Sequence, residues 1–407
     1  MKETCEKQAP SAGSSQRFVV FEFYANFMRY VIISVRADGI ISVDKQNQMT
    51  RSAETGGGFA RDLEQFLSAK TILEDAQYIL VFDTKDAVLI QQSVALTRPD
   101  WNAEITVSEL ENIVRHGVWK LFQRDRSLAA KLLGVNELQL RLADIDVAQL
   151  KLDGHRVISP VGFRSHVVDC LLRATFIRSE PWQEILNLLS ADKIMSVTER
   201  TGFWAGYAAA LVKDEALFLE IGERQTIVYS LVGGAVTYRD TVQWGSGGMF
   251  AGVVAPFGLP VTVASALIDR YAAGQCSDAV ANQIERALEA EFSVLMHTIE
   301  AHRNRRGLPV FVHSVTALPA LLNHDRLLKR LGVSGNYTIL TDENPAGSRG
   351  LVVQYNRSVP RGGLIPSYDT ALALVRRVCA GSHESLVGKT ARQRARWIAA
   401  QHDVVHS

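Results

Sequence analysis

The chain has 407 residues, 47% of them apolar and 21% charged, with a formal net charge of +1. That length accommodates two or more domains with real cores, and the near-neutral balance excludes global steering toward nucleic acid or anionic lipid. Cys5, Cys170, Cys276 and Cys379 lie far apart and form no CxxC pair, so they read as free thiols of a reducing compartment.

Residues 1–16 are polar, lack an apolar stretch of signal-peptide type and read as a disordered leader. Arg17–Val35 is rich in Val, Ile, Phe and Tyr and suits two strands joined by a tight connection. Asp38-Gly39 signals a turn into a further short strand, and Thr55–Gly58 punctuates before a helix at about Phe59–Ala69. Tyr78–Phe82 and Ala87–Ala95 read as strands around a charged turn. Val107–Phe122 has a helical period, with Leu110, Ile113, Val114, Val118 and Leu121 on one face. Glu137–Leu152 alternates apolar and polar residues, which predicts a long half-exposed strand or strand pair. Turns at Asp153-Gly154 and Pro160–Gly162 precede a strand at Val167–Ile177, then helices at Trp182–Ser190 and Thr201–Val212.

A second strand-turn-strand begins at Ala216, with Gly233-Gly234 as its hairpin turn. Gly245–Ile268 is 24 residues without a charge, long enough to cross a bilayer. Its five glycines and its prolines Pro256 and Pro260 favour a buried loop-helix-loop-helix instead. Thr262–Ala273 and Ser277–Arg303 read as helices, Val310–Val315 as a strand, Leu318–Leu331 as a helix, and Pro366 opens a last helix at Ser367–Cys379. The order implies two related α/β halves. Gly388-Lys389-Thr390 has no first glycine in P-loop register, and neither HExxH nor Gly-x-Ser-x-Gly occurs.

Three segments carry a resemblance. Leu152–Phe163 (LDGHRVISPVGF) is similar to a "DG-x-x-x-x-NP-x-G-x" segment. Val242–Tyr271 is similar to a Gly-Gly-x-x-x-T-x-D-I-A stretch and its following helix. Ile365–Leu374 (IPSYDTALAL) is similar to "P-x-Y-A-T-A-x-G-L". In order and spacing the chain resembles the bacterial cell-division protein FtsA, of the actin and sugar-kinase superfamily, from about Arg17 to Cys379. The resemblance implies an α/β, actin-like two-domain fold, a duplicated ribonuclease-H-like unit with an FtsA-type inserted subdomain. The expected divisions are 17–77, 165–212 and 351–380 for the first domain and 78–164 for the insertion. The second-domain core is 213–245 and 304–350, its outer subdomain 246–303, and 381–407 a basic tail.

The family's nucleotide loops fall on Val20–Asn26, Leu219–Ile227 and Phe311–Leu321, and each departs from the pattern. Where the family has Asp-Ile-Gly-Thr/Ser, this chain has Glu22-Phe23-Tyr24-Ala25, so Tyr24 replaces a glycine that lets backbone close on phosphate. The second loop keeps Gly222 and Thr226 but carries Glu223 and Arg224, and the adenosine loop has become His313-Ser314-Val315. The degenerate cofactor site is Glu22, Glu220, Gly222, Arg224, Thr226 and His313. Arg224 and His313 are candidates to cradle a phosphate, and Glu22 with Glu220 to pair on Mg²⁺. The plainer expectation is that both glutamates cap strand ends near solvent and that Thr226 is a strand residue. No catalytic residue, metal or cofactor is predicted, with ATP and Mg²⁺ left open as ligands.

The resemblance implies a scaffold that links FtsZ filaments to the inner face of the cytoplasmic membrane without hydrolysing ATP, self-assembling as an actin-like filament. It implies that Arg270, Arg286, Arg303 and Arg306 hold the acidic C-terminal peptide of FtsZ. It also implies weak membrane contact through Arg392, Arg394, Arg396, Trp397 and Ile398; a frayed basic tail is the plainer expectation. A nucleotide-gated ATPase filament and an adaptor of pilus or secretion assembly are the alternatives.

Overall fold

The computed structural model describes residues 15–24, 27–50, 59–68, 75–302, 308–314, 321, 327, 329, 337–340, 353–355, 369–379 and 385–404. The leader, and nearly all of the expected helix Leu318–Leu331, lie outside the described residues. The chain divides into two compact units, the first comprising 1–200, 347–359 and 371–407, and the second 201–346 and 360–370.

In the first unit, β1 (Gln16–Phe23), β2 (Phe27–Val35) and β3 (Ile41–Thr50) form an antiparallel meander. Helix α1 (Phe59–Ser68) leads to β4 (Gln77–Phe82), which pairs parallel to β1. β1, β2 and β4 are almost continuously apolar, as strands covered on both faces must be. Glu22 on β1 and Arg29 on β2 are the fully buried charged exceptions.

Between β4 and the next strand of this sheet lies a four-stranded antiparallel insertion. It comprises β5 (Ala87–Thr97), α2 (Val107–Leu133), β6 (Leu140–Leu152), β7 (His155–Val157) and β8 (Val167–Arg178), in the order β5-β8-β6-β7. Thr106 caps α2 by accepting from the Glu109 N–H, and Gly134 ends it at φ 65°. Asp153 and Gly154 take φ values of 48° and 86°, the paired positive values a two-residue hairpin needs. The insertion's boundaries differ from the expected 78–164. β4 belongs to the first sheet, and β8, expected in the first domain, is a central strand of the inserted one. Residues Glu137–Gln139 form a 3₁₀ turn rather than the start of a strand. After α3 (Ser179–Leu188), β9 (Ile194–Glu199), a strand with no counterpart in the sequence reading, pairs parallel to β4.

Helix α4 (Arg200–Leu211) opens the second unit from Thr201 onward, and there β10 (Glu215–Ile221), β11 (Thr226–Val232) and β12 (Ala235–Val242) form a second meander. The uncharged segment becomes two helices, α5 (Ser246–Phe257) and α6 (Val261–Ala272), broken where Gly258 takes φ 59° ahead of Pro260. Among the described residues no helix is long and apolar enough to cross a membrane. Helix α7 (Asp278–His302) packs with α5 and α6 over the sheet around Phe292, Leu288 and Tyr271. β13 (Val310–Ser314) and β14 (Tyr337–Ile339) then add in parallel to β10.

The two sheets have the same strand order and directions: β3-β2-β1-β4-β9 and β12-β11-β10-β13-β14. Each is an antiparallel meander whose first strand is followed by two parallel neighbours. This is the ribonuclease-H-like unit present twice, the actin-like two-domain fold, with the insertion in the first copy. β15 (Val353–Tyr355) extends the first sheet beside β3.

Two helices close the chain: α8 (Asp369–Cys379) and α9 (Leu386–Val404). The second corrects the expectation of a frayed tail. Ala391, Ala395 and Ile398 are buried in the core of the insertion with residues of α2, β6 and β8. Arg394 lies over the rings of Trp119 and Trp397, 5.4 and 4.0 Å from their centroids.

Candidate functional site

Glu22 sits one residue before the end of β1, directly across from Arg29 on β2. Both side chains are 1% exposed, and the Arg29 guanidinium donates to Glu22 Oε2. Tyr24 donates its hydroxyl to the same oxygen at 2.6 Å. The Tyr24 ring stacks on Phe27 with centroids 4.3 Å apart, and the Arg200 guanidinium lies 5.3 Å from its centroid. Arg200 in turn reaches Asp83 at 3.6 Å. Burial pushes the Tyr24 hydroxyl far above its ordinary range, so it is a permanent donor. Burial opposes the charge of Arg29, but Glu22 and Tyr24 outweigh it and hold the guanidinium above its usual value.

The equivalent glutamate of the second unit is Glu220, also one residue before the end of its strand and 1% exposed. Its partner comes from the parallel neighbour: His313 on β13 is in register with it, and Nδ1 lies 2.7 Å from Glu220 Oε2. The imidazole stacks on Trp204, with centroids 4.2 Å apart and planes at 19°. Trp204 donates from Nε1 to Thr370 Oγ1 at 3.0 Å. Glu22 Oε1 and His313 Nε2 are buried and make no hydrogen bond among the described residues.

The expectation that both glutamates cap strand ends near solvent is therefore corrected. Each is enclosed, and each is matched by a basic group of its own unit. His313 is likewise buried with Nδ1 against Glu220, whereas Arg224 is exposed. Gly222 N–H donates to Gln225 O at 3.0 Å, tightening the turn. Thr226 is fully buried in β11, its hydroxyl donating to Trp244 O at 2.9 Å.

The segment after β12 closes over this turn. Ser246 and Gly247 donate their N–H groups to the carbonyls of Gly222 and Glu223 at 2.9 and 2.8 Å. A Cβ on Gly245 would stand 2.5 Å from Glu223 O, so only glycine permits the approach. A helix N-terminus is ordinarily a ready anion site. Here the first N–H groups of α5 face two carbonyls.

Of the partner candidates, Arg270 on α6 and Arg286 on α7 are exposed, while Arg303 and Arg306 lie outside the described residues. Among the membrane candidates, Arg396 and Trp397 are exposed, Arg392 and Arg394 are half-buried, and Ile398 is 1% exposed. Ile398 is thereby corrected from a lipid contact to a core residue. Sequence reading missed Arg29, Arg200 and Trp204. A lone arginine inside the apolar run FMRYVIISV was the available signal, because a charge in a covered strand needs a partner.

No family model matches the chain, and no curated protein matches it. Among solved structures it is similar to one titled "PilM-PilN type IV pilus biogenesis complex", at 14% identity, over 93% of this chain and 98% of that one, with a TM-score of 0.45. It is also similar to the ethanolamine utilization protein EutJ from Carboxydothermus hydrogenoformans, at 10% identity, over 81% and 86% of the two chains, with a TM-score of 0.37. A Bacteroides thetaiotaomicron protein with actin-like ATPase fold gives 8% identity over 80% and 91%, with a TM-score of 0.35. The actin-like fold itself stands on the duplicated strand order.

Proposed function

We propose that this chain is a non-catalytic actin-like scaffold that works by binding partners rather than by turning over nucleotide. The observation that carries the reading is that each sheet's first-strand glutamate is buried and engaged inside its own unit, Glu22 by Arg29 and Glu220 by His313. A Mg²⁺-triphosphate needs carboxylate oxygens open to the metal and backbone N–H groups open to phosphate. These residues do not fit it. Arg29 stands beside Glu22, Tyr24 occupies the hairpin turn, and the N–H groups around Gly222 and α5 are spent on carbonyls.

Within that reading we take the division scaffold implied by the sequence resemblance as the leading assignment, with FtsZ's acidic tail peptide as partner. Arg270 and Arg286 are the exposed cations that support it, and Arg396 with Trp397 form the only part of the membrane set that combines a cation and an aromatic ring at the surface. Adaptor work in pilus or secretion assembly is the competing assignment. Calorimetric titration of the full chain with Mg²⁺-ATP tests the scaffold: neither binding heat nor phosphate release is expected. Phosphate release abolished by Glu22→Gln or Glu220→Gln overturns it. Pull-down with an FtsZ tail peptide, lost on Arg270→Ala with Arg286→Ala, separates the division role from the adaptor role.

A further inference from the structure

β5 is the longest edge strand among the described residues, at 11 residues. It pairs with β8 along its whole length with no register break. Pairing on one side leaves alternate backbone N–H and C=O groups pointing away from the sheet. Among the described residues, the backbone of Gln92–Thr97 makes no hydrogen bond except those to β8. Natural edges of this length are ordinarily blunted by lysine, proline, a bulge or a covering segment. Here the run Gln91–Thr97 is QQSVALT, with neither charge nor proline, and Pro99 comes only after the strand ends.

We propose that this edge is a self-association surface, where β5 of one copy pairs antiparallel with β5 of a second copy of this chain. The occupant follows from the strand's own chemistry. A strand set antiparallel against its copy makes a two-fold contact, in which each residue type must tolerate its counterpart. Like charges directly opposite one another would oppose this. A run of Gln, Ser, Val, Ala, Leu and Thr brings none together, and it carries no charge that would select a different partner. The two faces of the strand also continue without conflict. Val94 and Leu96 are buried beside α2, and Ser93, Ala95 and Thr97 are exposed. Two four-stranded sheets would then join into one sheet of eight. The contact closes on itself, so it produces a dimer and differs from the head-to-tail contact of a filament.

The test uses the full chain, by sedimentation velocity across roughly 1 to 100 µM, with Ser93→Lys/Ala95→Lys as the edge variant. Both positions are exposed, so the variant should keep the parent's circular dichroism and melting temperature. A concentration-dependent dimer, weakened about tenfold or more in the variant, is expected. Hydrogen exchange adds a second readout: alternate amides of Gln92–Thr97 should slow at high concentration and those bonded to β8 should not change. A chain that stays monomeric at 100 µM overturns the proposal. So does a dimer indifferent to both lysines, or exchange in this strand that is the same at both concentrations.

Discussion

The Glu22–Arg29 pair shows how a carboxylate is accommodated near the end of a covered strand. A carboxylate 1% exposed is costly unless paired and hydrogen-bonded, and here Arg29 and Tyr24 both serve it through one oxygen. Removing one partner of a buried pair leaves an uncompensated charge, typically about 3–5 kcal/mol of stability. Arg29→Met is therefore expected to lower the unfolding free energy by an amount of that order, measured by urea denaturation. Adding Glu22→Gln to Arg29→Met should recover part of the loss, because no buried charge remains. A double variant no more stable than the single one would mean that the pair is not what holds this corner. The pairing was half legible in the sequence. Both residues stand out as charges in apolar runs, but their meeting depends on the hairpin register, which places Glu22 opposite Arg29. His313 was legible only as a lost glycine, because its partner lies 93 residues away.

At the scale of elements, the strands were readable wherever alternation or a continuous apolar run made the period plain, as in β6 and β10. β9 was not, since Ile194–Glu199 mixes apolar and polar residues and gains its burial from β4. Helix α9 was misread for a different reason. Its buried stripe is Ala391, Ala395 and Ile398, and two alanines in three positions leave little hydrophobic signal along the chain. In three dimensions the same small residues let the helix come close to β6. Among the described residues Ile398 is then the one fully buried large apolar side chain of the stripe, with Val387 partly buried against the same core. Ile398→Ala should cost about 2–4 kcal/mol of the helix's docking, read as faster proteolysis within α9 and as altered Trp397 fluorescence. Arg394→Ala should act in the same direction but less, by about 1 kcal/mol, since it removes a cation between two indoles. Unchanged cleavage in both variants would show that α9 is held by contacts other than these.

For the molecule as a whole, the joint between the insertion and the first sheet adds one contribution to how stability responds to pH. Asp144 of β6 is that joint. It accepts hydrogen bonds from Val197 N–H and Ser196 Oγ of β9 at 2.8 and 3.1 Å, and from Ile145 N–H at 2.8 Å. Arg392 of α9 and Asp146 are the nearby charges that also act on it. Burial outweighs the bonds and pushes its carboxyl up to about 6, from an ordinary 3.8. The folded chain therefore holds a proton on Asp144 at pH values where the unfolded chain has lost it. Stability from this group is fully present below the unfolded value and falls as pH rises through about 6. Between pH 5 and 7 the loss amounts to about 1 kcal/mol. Asp144→Asn removes the titration, so the variant's stability should change less than the parent's across that interval, measured by urea denaturation at both pH values. The difference between the two slopes reports Asp144 together with its coupling to Asp146 and Arg392, because more distant groups titrate alike in both proteins. Parallel slopes would mean that Asp144 is as well solvated in the folded chain as in the unfolded one, and that the insertion is not anchored through a buried carboxyl.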